Sequence, residues 1–262
     1  MKSNSIFYRC LMILALSYLS PIVSADTVTI LSDKWFPVNG DPKSEQPGYM
    51  IEIAKTILNK HGHSLDYRLA PWARSIQEVR KGRTDCIVGA LKSDAEDFIF
   101  PEQSWGKSQF GFYSSATSDW NYQGIKNLER IKIGAISDYS YGPMMDQYIE
   151  IYKNTESVQL LSGDSVLEQN IRKLFAKRID VILSDKLVME TKINTLGLQN
   201  KFRLAGDIAF SENIYIACSP IKSSSLNYVK LFSEGIVILR ESGELARILN
   251  KYGVKDWIDA VE

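Results

Sequence analysis

Short apolar runs alternate with helical-period patterns along most of the chain. Val28 to Leu31 is a strand-length run, followed by a loop holding Trp35, Phe36, Pro37, Pro42 and Pro47. Met50, Ile53, Ala54, Ile57 and Leu58 then recur at helical spacing, and Gly62 stands where a helix stop belongs. Leu65 to Leu69 reads as a strand, Trp72 to Arg80 as a helix ending at Gly82, and Cys86 to Leu91 as a buried strand. The second half repeats the theme. Ile131 to Ile136, Val158 to Leu161 and Asp180 to Ser184 read as strands. Helices are expected around Met144 to Tyr152, from Leu167 to Phe175, and from Lys186 to Ile193. Ser165 and Glu168 fit a capping box for the second of these. The tail carries two more helical patterns, Leu226 to Leu239 and Gly243 to Tyr252.

Strands alternating with helices imply a mostly parallel sheet covered by helices. Two such units are present, without a Gly/Ser linker between them. Two strand-like segments, Gln109 to Tyr113 and Asn213 to Cys218, are the expected crossings. A double crossing makes the first unit discontinuous, so the expected organisation is 26–110 with 214–262 as one lobe and 111–213 as the other. Ligands in open α/β sheets sit at the carboxyl ends of strands, so facing edges predict a cleft.

Residues 1–25 stand apart from this pattern. Lys2 and Arg9 precede the apolar run Leu11 to Leu19, Pro21 breaks it, and Val23-Ser24-Ala25 is small at the cleavage positions. The run is shorter than the ~20 apolar residues of a membrane span. A cleaved export leader is therefore expected, with a periplasmic product. The 262-residue chain balances 31 Lys+Arg against 31 Asp+Glu, and the leader removes two bases and no acid, leaving −2. That balance gives no footprint for nucleic acid. Cys86 and Cys218 remain after the leader. Export permits a disulfide between them, but two buried thiols are the favoured reading, because free Cys is commonly buried.

The chain lacks G-x-S-x-G, P-loop, G-x-G-x-x-G and H-E-x-x-H strings. Its only histidines, His61 and His63, flank a helix end, where solvent and the helix dipole are their expected partners; a two-His metal site is the rival reading. No cofactor or metal is expected, and binding is favoured over catalysis.

Several strings in this order resemble the type II periplasmic solute-binding proteins, the family that includes amino-acid-binding components of ABC importers. They are Gly48-Tyr49-Met50-Ile51-Glu52-Ile53-Ala54, Lys81-Gly82-Arg83-Thr84-Asp85, Phe100-Pro101, Arg178-Ile179-Asp180-Val181-Ile182, and Glu241-Ser242-Gly243-Glu244-Leu245 through Lys251-Tyr252-Gly253. Pro71-Trp72-Ala73-Arg74 is similar to a proteobacterial branch of that family. The resemblance implies an α/β fold of two lobes, each a mostly parallel sheet with flanking helices, joined by two hinge strands and closing on a ligand. It implies a monomer working with a small-molecule ligand and with a membrane permease or a sensor receptor.

The resemblance also implies site positions. Trp35 or Phe36 packs on the ligand, with Trp72 nearby. Ala90, Leu91 and Lys92 belong to the strand end whose backbone meets a ligand carboxylate. Tyr139, Ser140 and Tyr141 lie in the turn into a helix and offer hydroxyls and N–H groups to an anion. For Ser140 the alternative is a plain N-cap. Asp185 matches the acid that pairs with a ligand amine, and helix capping is its rival role. Ala95 stands where amino-acid binders usually carry a carboxylate-binding Arg. A methyl group cannot replace a bidentate guanidinium, so either Arg74 or Lys92 takes the anion or the ligand is not a free α-amino acid; Arg74→Ala is expected to weaken binding at least ~10-fold. Two other readings stay open: an enzyme on this scaffold, a periplasmic dehydratase or hydrolase working through Asp185 or another cleft carboxylate, and a signalling partner whose cleft is filled by its own side chains.

Overall fold

The computed structural model describes residues 26–163 and 165–258. The expected leader lies outside them. The first half runs β1 (Thr27–Ser32), α1 (Tyr49–Lys60), β2 (Ser64–Leu69), α2 (Trp72–Arg80), β3 (Cys86–Ala90) and β4 (Gly106–Ser115). The second runs β5 (Ile133–Ile136), α3 (Pro143–Tyr152), β6 (Val158–Leu161), α4 (Val166–Phe175), β7 (Val181–Asp185), α5 (Lys186–Thr195), β8 (Phe202–Cys218), α6 (Ser225–Glu241) and α7 (Glu244–Asn250).

Strand order is β2-β1-β3-β8-β4-β7-β5-β6. Each lobe is one parallel triplet, β2-β1-β3 or β7-β5-β6, closed by an antiparallel fourth strand. β3 and β7 are buried along their whole length, which is why Cys86 to Ala90 and Val181 to Leu183 read as apolar runs, with Ser184 and Asp185 ending β7. Helices α6 and α7 return to the first lobe. Gly235 lets α6 approach α1 so closely that a Cβ there would lie 2.6 Å from Ile57.

β4 and β8 are the crossing strands, and they pair with each other from Gly106↔Ile214 to Ser115↔Phe202. Both are longer than the apolar runs that announced them. β8 begins eleven residues before Asn213, because its first two-thirds alternates buried and wet positions.

The cysteines correct the sequence reading. Cys86 on β3 faces Cys218 on β8 across the antiparallel ladder, with Cα atoms 3.9 Å apart, and the two form a disulfide. Both are fully buried, as expected, but bonded. The capping box at α4 is also absent: Ser165 has φ 55° and its side chain makes no cap bond. Among the described residues no helix is long and apolar enough to cross a membrane.

Candidate functional site

The carboxyl ends of strands from both lobes converge on one cavity of about 360 Å³. The first lobe supplies Asp33 to Phe36, after β1, and Leu69 to Ala73, where β2 turns into α2. The second supplies Ile136 to Tyr139 with Tyr141 at the end of β5, Ser162, Gly163 and Ser165 to Glu168 after β6, and Ser184, Asp185, Val188 and Lys192 at the end of β7 and along α5. A cavity of ~300–1,000 Å³ is the usual size for a small-molecule site.

Trp35, Phe36, Trp72, Tyr139, Tyr141 and Asp185 all line it. Gly89 makes room for Trp35. It has φ 82°, sits at a register shift in the β3–β8 ladder, and a Cβ there would lie 3.2 Å from the indole. A non-glycine residue in the left-handed region, Asp138 with φ 64°, directs Tyr139 across the cleft. The Tyr139 hydroxyl donates to Asp33 Oδ2. Its ring meets Trp35 edge-on at 6.3 Å and Trp72 at 6.1 Å. Beyond that ring only about 20 Å³ of space remains, bounded by Gly89, Leu91, Asp94, Phe110 and Ser140 among others. The cleft thus has an open outer chamber and a filled inner cup.

Polar groups in the inner cup are satisfied from within. Asp94 accepts from Leu91 N at 2.9 Å with one oxygen and from Ser140 N across the cleft at 3.3 Å with the other. Burial pushes Asp94 up to about 7 and Asp33 up to about 6, against the pull of their hydrogen bonds. Burial also raises the Tyr139 hydroxyl, as does the Asp33 charge beside it. The anion-binding turn is occupied as well. Asp146 in the first turn of α3 accepts from Ser140 Oγ and from Tyr141 N, both at 2.7 Å. The Tyr141 hydroxyl accepts from Ile136 N at 2.8 Å. These donors were expected to meet a ligand, and an internal carboxylate meets them instead.

Asp185 likewise serves the protein. Its Oδ1 caps α5 through Val188 N at 3.1 Å, and its Oδ2 accepts from Ser108 Oγ at 2.6 Å and Gln109 N at 3.3 Å. Burial lifts its pKa to about 6 despite those bonds. Of its two expected roles, capping is the one its geometry displays.

Five expected residues do not line the outer chamber: Leu91 and Ser140 border the inner cup instead, and Arg74, Lys92 and Ala90 border neither. Arg74 is exposed and lines a separate depression with Arg68, Glu78 and Arg83. It follows Trp72 by two residues, which is about 200° around a helix, so an inward Trp72 turns Arg74 outward. Lys92 is exposed and lays its ammonium over the Tyr215 ring at 5.2 Å. Ala90 is fully buried among Trp72, Ile76 and Phe98.

Charge in the outer chamber comes from residues not singled out for it. Lys192 pairs with Glu168 at 2.6 Å. Burial opposes the Glu168 charge, but Lys192, a backbone N–H and nearby Lys34 hold its pKa below the usual value. Lys34 lines the chamber, and no hydrogen bond or ion pair to another described residue engages its ammonium. Trp72 is 6 % exposed, and its indole Nε1 has no hydrogen-bond partner among the described residues. Among the described residues no group of three or more His, Cys, Asp or Glu side chains could hold a metal ion.

Residues 27–255 match the family model of bacterial extracellular solute-binding proteins, family 3. The chain belongs to this family.

Solved structures agree on the fold. A substrate-binding protein of an ABC uptake transporter from Streptococcus pneumoniae, with bound histidine, superposes with TM-score 0.73 at 19% identity, over 86% of this chain and 92% of that one. The arginine-, lysine-, histidine-binding protein ArtJ of Geobacillus stearothermophilus gives 0.73 at 13%, over 89% and 98%. A histidine kinase sensor domain similar to periplasmic binding proteins gives 0.71 at 19%, over 86% and 95%. No curated protein matches the chain in a direct sequence comparison. The family is one of extracellular binding proteins, so the cleft is a ligand-binding cleft. In this solute-binding protein Ala95 is core, 2 % exposed and packed with Trp72, Val79 and Phe98. No arginine is among the described residues that line the cavity.

Proposed function

We propose that this solute-binding protein captures a small polar, amino-acid-like or related ligand in the outer chamber as its lobes close. The observation that carries the reading is the pairing, in one cavity, of indole faces from the first lobe with Lys34, whose ammonium no other described residue engages by hydrogen bond or ion pair, and the Lys192–Glu168 pair. Aromatic faces bury the ligand's apolar body and the charges fix its ends. The Trp72 N–H, desolvated and unpartnered, favours a ligand acceptor beside it. The lobes are 26–110 with 214–262, and 111–213, with β4 and β8 as the hinge. The protein acts in the periplasm once leader 1–25 is removed, as a monomer, without cofactor or nucleic acid. It delivers its ligand to a membrane permease or presents it to a sensor receptor; relatives of similar fold include both kinds. We assign no reaction, since both oxygens of Asp185 are held by protein donors.

A thermal-shift screen of amino acids, amines and small organic acids tests the reading, because a ligand that binds the native state raises its stability. Stabilisation by one class, with compaction in small-angle scattering, supports it. A flat screen with unchanged scattering refutes it. It would favour the signalling partner without a ligand, a reading to which the filled inner cup lends its own support.

A further inference from the structure

Within the proposed ligand-binding role, we propose that Tyr139 is a specificity-determining plug. Its phenol fills the inner cup and gives Asp33 the donor that a ligand ammonium would otherwise give, confining the ligand to the outer chamber. Three observations carry this. The hydroxyl reaches from the second lobe to Asp33 in the first. The ring packs against Trp35 and Trp72 in the T-shaped geometry that an aromatic guest would adopt. The space left behind it, about 20 Å³, holds no more than a single water, whereas the outer chamber holds about 360 Å³.

The chemistry of the cup follows from what Tyr139 covers. Two carboxylates, Asp33 and Asp94, border it, with indole faces and Phe110, and among the described residues no basic side chain lines it. Stripped of the plug, Asp33 loses its phenolic donor and faces aromatic surface. A buried carboxylate that keeps its Ser32 and backbone contacts but loses its strongest side-chain donor is less well satisfied, and an aromatic wall favours a cation. The vacated cup therefore takes an organic ammonium and rejects a carboxylate. Ala95 and the internal occupant Asp146 point the same way, since neither leaves a site for an anion on this side of the cleft.

The experiment compares the wild-type protein with Tyr139→Ala and Tyr139→Leu, using butylamine and butanoate as matched probes in calorimetric titrations. The second variant keeps an apolar filler at the mouth of the cup, so the test survives if the alanine variant does not fold. The expected result is butylamine binding at least tenfold tighter in a folded variant than in wild type, with butanoate unchanged. Tyr139→Phe keeps the ring and is expected to exclude butylamine as wild type does. Equal butylamine affinity in wild type and variants, or an equal gain for butanoate, overturns the proposal. The wild-type ligand screen tests the parent reading independently, so either can fail alone.

Discussion

The two lobes share one plan and fasten it differently. In each, a parallel triplet is closed by an antiparallel strand that crosses between lobes. In the first lobe a disulfide ties β3 to β8. In the second, the corresponding third strand β7 is tied to β4 by the Asp185 carboxylate, which also caps α5. One fastening is indifferent to protons, and the other is a buried acid whose pKa stands near 6. The same division runs through the cleft. The first lobe lends fixed walls, Trp35 and Trp72. The second lends the Ile136 to Tyr141 loop and the titrating contacts that bridge to Asp33 and Asp94.

Breaking the covalent side is expected to cost most. Cys86→Ser with Cys218→Ser should lower unfolding stability by about 2–5 kcal/mol in denaturant titration, given the 132-residue separation of the bonded pair. Breaking the polar side should cost less. Asp185→Ala removes a helix cap and leaves Ser108 without its buried acceptor, for a loss of about 1–3 kcal/mol by the same titration. An unchanged midpoint would show that Ser108 and α5 find other partners.

Ligand binding sharpens the contrast between chamber and surface. Lys34→Ala should weaken binding of the compound found in the screen about tenfold, or ~1.4 kcal/mol. Arg74→Ala, on the outer face of α2, should change it less than about twofold. The reverse order would relocate the site to the depression beside β2.

Acid should tighten the molecule. Asp33, Asp94 and Asp185 all have folded pKa values near 6 to 7, raised above the ordinary 3.8 by burial. The folded state therefore holds more protons than the unfolded chain between about pH 4 and pH 7, and stability rises as pH falls through that window. Melting temperature should increase from pH 8 to pH 5, and Asp94→Asn should flatten the slope. A melting temperature that falls with acid over this range would contradict the burial of these acids.

Much of this was legible in the sequence. Runs such as Cys86-Ile87-Val88 and Val181-Ile182-Leu183 carry the parallel strands, because strands buried on both faces must be apolar throughout. The crossing β8 was half hidden, since its first residues mix buried and wet positions and carry no apolar run. Pairing was less legible than placement. Nothing in the separate surroundings of Cys86 and Cys218 says that β3 and β8 are neighbours, and Tyr139 lies 106 residues from Asp33. Arg74 lies outside the cavity for a reason of helix phase that a string of residues does not show: the direction of Trp72 decides it. Asp33 and Lys34, between a strand end and Trp35, carried a usable signal, a polar pair at the carboxyl edge of a sheet.

Native mass spectrometry of protein purified without unfolding tests the central claim, that the interlobe cleft captures a small molecule. The expected spectrum shows a released small-molecule mass, or one restored by adding the stabilising compound, and its loss in Lys34→Ala. A protein that shows only its own mass, with every compound of the screen present, would contradict it.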